Sequence, residues 1–504
     1  MDSLSLRQSI LIAVIGLIGY AIIRRIISTV EKSKFKKLHG CKPATKLPQL
    51  DPILGLDLFK TIKQNAVERK ALETNVRRSL TVARTMTINL MGQTFVSTCE
   101  SENVKAILAT NFDDFVVGPR MSAMGRLMGR GIFTTDGAHW EHSRALIRPS
   151  FNRAQVADLD SIETHVQNLI KRLPKDGGTV DMQHLFFNFT IDNATEFLLG
   201  RSINCQTDPS MEYFTEAWDY AESRSNDRLR LGKLAFLMRD AKFESSCDAV
   251  HSFVDSYIAE VLGNKEGGAT LSNGDVKAKR YNLLSELSAV CSDPIQLRNE
   301  LLNVLLAARD TTAGLLSSIM YFLARSPEVW RKLVDEVEGL EGKLPDYDTL
   351  KKMRYLRAVL DETLRLHPPV PLNMRFASRH TTIPRGGGPD GKSPVFIAKG
   401  TALSYCVWTM HRLPEVYGSD AEEFNPGRWL DSEKPLRPGW AYLPFNGGPR
   451  ICLGQQSALI EAGYVVTRLV QQFKDIEPRG GVFRENLALT FSHFGGVKVA
   501  LWRR

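Results

Sequence analysis

Between Asp293-Pro294 and Ser326-Pro327 the chain carries LLNVLLAARDTTAGLLSSIMYFLARS, a stretch apolar nearly all the way round a helix. Asp293 suits a cap and Pro294 the first helical position, so the segment reads as one rod of roughly thirty residues, about 45 Å long. A helix without a polar face cannot lie on a surface. Other helices must wrap it, and the 504 residues supply a domain large enough to do so. Inside the run stand Arg309, Asp310, Thr311 and Thr312. Polar groups at such depth are costly unless they pair or take part in chemistry.

The surrounding pattern extends the same picture. Ser326-Pro327-Glu328 opens a further helix, and a third covers about Tyr355 to Leu366 before His367-Pro368-Pro369 stops it. Alternation over Pro394-Val395-Phe396-Ile397-Ala398 reads as a short strand. From about Asp51 to Arg504 there is no linker, repeat or charge block, so the expected class is one domain, mainly α with a minor β region. The formal net charge is +9, but residues 1–42 hold eight basic side chains against Asp2 and Glu31, which leaves only +3 on the rest. That balance excludes a nucleic-acid footprint. Seven cysteines, odd in number and without a C-x-x-C pair, give neither a disulfide framework nor a zinc knuckle.

The amino terminus has its own signature. Ile10 to Ile23 is unbroken apolar sequence with Gly and Tyr, extended by Ile26 and Ile27 past Arg24-Arg25. At 1.5 Å per residue the stretch is about 27 Å, close to a thin bilayer. Arg24, Arg25, Lys32, Lys34, Lys36 and Lys37 follow, against Arg7 alone before it. By the positive-inside rule the bulk of the chain stays cytoplasmic. A cleaved signal peptide would need a small-residue exit and the opposite charge flank. The expected organisation is therefore a membrane anchor over residues 1–30, a basic, Pro-rich hinge over 31–52 carrying Pro43, Pro48 and Pro52, and a catalytic domain over 53–504. With that domain cytosolic, the sequons at Asn188 and Asn193 carry no glycan.

Near the other end, Phe445-Asn446-Gly447-Gly448-Pro449-Arg450-Ile451-Cys452-Leu453-Gly454 precedes a helical stretch from Gln456 to Gln472. A tight loop of this kind can aim amides at the Cys452 sulfur and, with Arg450 near, favour the thiolate that a haem iron needs for O–O cleavage. For one cysteine taken alone, an inert buried thiol is the ordinary alternative.

The loop matches F-x-x-G-x-R-x-C-x-G at every fixed position and resembles the haem-ligand loop of the cytochrome P450 monooxygenases. Three further signatures of that superfamily occur in order. Glu362-Thr363-Leu364-Arg365 resembles its E-x-x-R pair, and Phe424-Asn425-Pro426-Gly427-Arg428-Trp429 the segment whose arginine, here Arg428, joins that ion pair. Ala307-Ala308-Arg309-Asp310-Thr311-Thr312 resembles the oxygen-activating stretch, with Ala308 where the family usually has Gly. Dioxygen cleavage consumes protons, so a hydroxyl beside the reacting face and an acid linked to solvent are required, and Thr311 with Asp310 supplies both. A threonine bonding back to the preceding turn is the structural alternative.

The resemblance implies a cytochrome P450 fold with haem b (iron protoporphyrin IX), Cys452 as its metal ligand, and Trp140, Arg144, Arg375, Arg450 and Phe445 as cofactor-binding residues. Trp140 and Arg144 fall four apart on one helix face, and a propionate needs a fixed cation. Longer stretches, 131–151, 308–317, 384–400 and 444–464, resemble the fungal alkane- and fatty-acid-hydroxylating branch, with Ser457 departing from its usual phenylalanine.

The resulting expectation is a single-pass endoplasmic reticulum enzyme that inserts one atom of O2 into an apolar C–H bond, with electrons from NADPH through NADPH-cytochrome P450 reductase and cytochrome b5 as a further partner. Alternatives are an oxidative tailoring enzyme of fungal secondary metabolism, a haem-thiolate isomerase or dehydratase, and a haem sensor. The expected pocket wall, by the same resemblance, is Val116, Val117, Met121, Met124, Met128, Val304, Ala308, Leu372, Met374, Phe491 and Phe494, with Arg120, Arg126 and Arg130 as readers of a carboxylate. Gly386 to Ser393, GGGPDGKS, fits a P-loop letter for letter, but Pro394 and the alternating residues after it make a hairpin loop the expected form.

Overall fold

The computed structural model describes residues 6–266 and 281–504. Two compact units emerge. The smaller comprises residues up to Phe59, Arg78–Val116 and Met374–Tyr405, and the larger comprises Lys60–Arg77, Val117–Asn373 and Cys406–Arg504.

The smaller unit is organised by a sheet whose strands run in the order Thr45–Lys46, Thr85–Leu90, Gln93–Thr98, Ala402–Cys406, Leu372–Ala377 and Phe115–Val116. Thr85–Leu90 pairs antiparallel with Gln93–Thr98, and Phe95 then stands opposite Ala402 in a parallel pair. Leu47, Leu58 and Met86 form its small core, with Val82, Ile88 and Leu90 packed against them. The P-loop-like stretch is a hairpin between strands Thr381–Gly387 and Ser393–Ile397. At Gly387 a Cβ would lie 2.6 Å from the Pro394 carbonyl oxygen, so glycine is required there for close backbone approach.

The amino-terminal helix spans Leu6–Leu38 and continues through the lysines expected to open a hinge. Its described apolar side chains are open, Ile12, Ile15, Leu17 and Ile23 among them, and Ile12–Leu38 is long and apolar enough to cross a bilayer. The chain after it is not a free connector. Lys42 N donates to Pro394 O at 2.9 Å and Leu47 N to Thr87 O at 2.9 Å, which ties this segment to the sheet.

In the larger unit the central helix is Pro294–Leu323, 30 residues long, with the Asp293 side chain capping Ile295 N at 2.9 Å. Two apolar clusters enclose it. One joins Leu315, Leu316, Ile319 and Leu323 to the helices Arg354–Leu366 and Gln455–Gln472. The other joins Leu301, Leu302 and Leu305 to the helices Glu212–Leu231 and Ala241–Glu266 through Phe214, Trp218 and Phe243. Burial on both sides explains why the sequence shows no polar stripe.

Candidate active site

Cys452 sits where a short 3-10 turn, Gly448–Arg450, hands over to the helix Gln455–Gln472. Its amide donates to Phe445 O at 3.0 Å, closing the loop, and the half-buried Phe445 ring packs on the apolar core. Burial raises the thiol's proton affinity, while the Gly454 amide and the Arg144 charge lower it, and burial prevails. The expected neighbour, Arg450, is turned elsewhere. The protein's own donors therefore do not outweigh burial, and a metal cation at the sulfur would favour the thiolate.

Although set deep among protein atoms, Cys452 is open to solvent. A matching opening occurs on the central helix, which is closed from Asn299 to Met320 except at Ala307, Ala308 and Thr311. Those positions, i, i+1 and i+4, lie on one face. Ala308 and Leu453 border the same apolar cluster, together with Ile132 and Phe133. A buried thiol and a buried helix face both left open, against one apolar wall, fit a large flat prosthetic group ligated through sulfur.

The arginines divide by their partners. Arg450 donates to Asp136 Oδ1 at 2.8 Å and to Thr135 O at 2.9 Å, and its guanidinium lies 4.2 Å from the Trp140 ring centroid. Asp136 thus answers its charge. Arg144, half-buried, donates to Ile451 O at 3.0 Å, and Arg375, 4% exposed on its strand, donates to its neighbour Met374 O at 2.9 Å. Among the described residues neither has a carboxylate partner within ion-pair distance, and guanidinium groups withdrawn from water in that condition call for an anion.

On the central helix the acid and the hydroxyl do not touch. Thr311 Oγ1 donates to Ala307 O at 2.6 Å, the back-bonded form, while Asp310 Oδ1 accepts from Arg309 Nη1 at 3.0 Å. Burial pushes the Asp310 carboxyl up from the usual range, partly offset by Arg309.

The loop's foundation is a buried charge network. Glu362 accepts from Arg365 Nε at 2.8 Å and Nη2 at 2.9 Å, from Arg428 Nε at 2.9 Å, from Trp429 Nε1 at 2.9 Å and from Asn425 N at 2.9 Å. His411 connects this network to the loop: Nε2 accepts from Leu443 N at 2.8 Å, so Nδ1–H donates to Arg365 O at 3.0 Å. Burial holds its pKa at about 3, and the ring stays neutral. Sequence reading missed His411 and Asp136 because a lone histidine or aspartate in a turn carries no pattern.

The expected pocket wall is only partly open. Met124, Met128 and Val304 are buried in the apolar cluster, and Phe491 packs with Leu72, Cys406 and Trp408. Phe494 is exposed, between Arg69 and Arg484. Arg126 is committed to Glu244 and Asp248, at 2.6 Å each, and does not offer its charge to a carboxylate ligand.

Comparison with known proteins agrees with this geometry. The family model described as Cytochrome P450 matches residues 62–487. Cytochrome P450 monooxygenase himC of Aspergillus japonicus is 42% identical over 92% of this chain and 84% of its own length. Cytochrome P450 52A12 of Debaryomyces hansenii is 41% identical over 98% and 97%. Among solved structures, the heme domain of cytochrome P450DA aligns with a TM-score of 0.76 at 20% identity, covering 92% of this chain and 98% of that one.

Proposed function

Because the chain belongs to the cytochrome P450 family, an oxidoreductase family that uses haem b, we propose that it hydroxylates a long, apolar aliphatic substrate, drawing electrons from NADPH through a membrane flavoprotein reductase. The observation that supports the reading best is the pair of openings in an otherwise closed core, at Cys452 and at Ala307, Ala308 and Thr311. Cys452 is the proposed iron ligand. By the family resemblance Arg144 and Arg375 are the proposed propionate cations, Trp140 and Arg450 are further proposed cofactor-binding residues, and Phe445 closes the Cys452 loop. When bound, haem supplies the dioxygen-splitting redox chemistry.

The protein's part is arrangement and protons. Thr311 presents a hydroxyl at the open face of the helix, Asp310 is the proposed acid behind it, and Ala308 keeps that face apolar and narrow. One oxygen atom enters the substrate and the other leaves as water, with two electrons and two protons consumed. We place residues 1–30 in the endoplasmic reticulum membrane as the anchor, residues 31–52 as the connection, and 53–504 as the cytoplasmic catalytic domain, with cytochrome b5 as a second electron donor.

Reconstitution of the full chain with haem, reductase and a series of fatty acids or alkanes tests the substrate class. Each buried methylene contributes about 0.8 kcal/mol, so affinity rises severalfold per two carbons until the pocket is full. The alternative reading is oxidative tailoring in fungal secondary metabolism. Absence of chain-length dependence, with tight binding of a compact polycyclic compound, would select it. Turnover without NADPH or O2 would instead point to an isomerase or dehydratase.

A further inference from the structure

A cluster of arginines surrounds the hairpin formed by Glu485–Leu487 and Phe491–His493. The second strand of that hairpin lies on the central helix: a Cβ at Gly314, three residues past Thr311, would be 2.8 Å from Phe491 O. Leu489, at the turn, borders the same apolar cluster as Ala308 and Leu453. The first strand meets cations instead. Arg230, in the last turn of the helix Glu212–Leu231, donates through Nη2 to Leu487 O, and Arg69 Nη1 donates to Asn486 Oδ1 at 3.1 Å. Beyond the paired residues, Phe494 N donates to Arg484 O at 2.9 Å. The Phe494 ring, 41% exposed, carries two guanidiniums, that of Arg69 4.3 Å and that of Arg484 4.9 Å from its centroid.

Sharing one ring puts the Arg69 and Arg484 charges within about a Debye length of each other, so they repel. The acids nearby are otherwise engaged. Glu485 accepts from the amides of Ala71 and Leu72 at 2.6 and 2.9 Å, one on each carboxylate oxygen. Glu68 pairs with Lys70 at 3.9 Å, and Asp227 with Arg224 at 2.8 Å. Among the described residues no carboxylate lies within ion-pair distance of Arg69, Arg230 or Arg484. Arg69 also holds its backbone at φ +60°, the left-handed region that residues with a Cβ rarely adopt. Strain of this kind persists where a clamp needs a side chain in one place, and here it directs the guanidinium to Phe494 and Asn486.

We propose that Arg69, Arg230 and Arg484 form the carboxylate end of the substrate site, so that the aliphatic substrate is a long-chain fatty acid and not an alkane. This rests on the aliphatic-hydroxylase reading and deepens it. A guanidinium fork pairs with a carboxylate through two parallel N–H···O bonds, and an arginine already stacked on a ring loses little freedom in doing so. From Leu489 to Phe494 the hairpin covers about 17 Å at the rise of a strand. A carboxylate held at the outer end leaves the hydrocarbon to run past the turn toward Ala308 and Thr311, and a short acid does not reach. The three arginines bind and orient, away from the reacting atoms. They come from three segments distant in sequence, none of them the loop of Arg120, Arg126 and Arg130 expected to read a carboxylate.

The test titrates the full haem-loaded chain with a long-chain fatty acid and with its methyl ester, which keeps the hydrocarbon and removes the charge, and reads binding from the haem absorbance. Wild type should bind the acid about tenfold more tightly, as hydrogen bonds to a charged group imply, and added salt should narrow the difference. In Arg230→Gln and in Arg484→Gln the difference should shrink severalfold while the ester binds as before. Arg69→Gly removes the guanidinium and the left-handed strain together, so it should fold at least as well as wild type and still lose part of the preference. Should Arg230→Gln lose the ester too, Arg69→Gly and Arg484→Gln decide. Equal binding of acid and ester by wild type, or a preference unchanged in the variants, overturns the proposal. Variants that keep the preference but lose affinity for vesicles of anionic phospholipid overturn it as well, and assign the arginines to a membrane face. Ester binding that does not grow with chain length sinks the aliphatic reading itself, and the carboxylate site with it.

Discussion

Arg365 and Arg428 both face Glu362, yet their loss should differ by more than tenfold in the unfolding equilibrium. Arg365 is fully buried and, besides its two bonds to Glu362, donates to the carbonyls of His411, Ala421 and Glu423 at 2.8, 2.6 and 3.0 Å. In Arg365→Leu the first two carbonyls are orphaned at about 1–3 kcal/mol each, and the Glu362 charge loses its main partner, on the order of 3–5 kcal/mol. The sum, about 5–11 kcal/mol, reaches the whole stability of a typical domain, so this variant should not fold. Arg428→Leu leaves Glu362 with Arg365, Trp429 and Asn425, the bonds Arg428 makes to the Tyr417 and Asp420 carbonyls are only partly buried, and the Asp420 carboxylate is partly exposed. A cost of about 2–3 kcal/mol follows, and the protein should still bind haem. Urea unfolding followed by far-ultraviolet circular dichroism and haem absorbance measures both. Equal costs, or a larger one for Arg428, would refute the idea that the orphaned carbonyls decide the order.

Three further predictions concern the site and its surroundings. Cys452→Ala should lose the thiolate-type carbon monoxide spectrum, and a normal spectrum would remove the proposed ligand. Arg144→Gln should retain haem less well than wild type while leaving the urea midpoint of the haem-free chain nearly unchanged, whereas Arg450→Gln should lower that midpoint because Asp136 loses its counter-charge; identical behaviour of the two variants would contradict the division of the arginines. Glu300, buried with Ser143 as its one donor among the described residues, has its pKa pushed up to about 7, chiefly by burial. A carboxyl whose folded value lies above its unfolded one favours folding most at low pH and loses that advantage as pH rises through about 7. Glu300→Gln should therefore match wild type near pH 4 and exceed it at pH 8 by about 3 kcal/mol, and parallel stability curves would refute this.

Features set by neighbours along the chain are legible in the order of residues alone. The central helix, its Asp293 cap, the Glu362 and Arg365 pair at i and i+3, and the tight loop around Cys452 are of this kind, since periodicity and turn chemistry are local properties. The motif order then carries the family. Which charge meets which is a matter of the folded chain. Arg144, Arg375 and Arg450 look alike in sequence, but Arg450 meets Asp136, 314 residues away, and the other two do not meet a carboxylate among the described residues. Likewise Asp310 reads as an acid behind a hydroxyl, and nothing local indicates that Arg309 bridges it to Asp219 or that Thr311 is bonded to its own helix. An ion pair depends on distances of a few ångströms between segments that share no pattern, so the packing of helices, and not the order of residues, assigns each buried charge its partner.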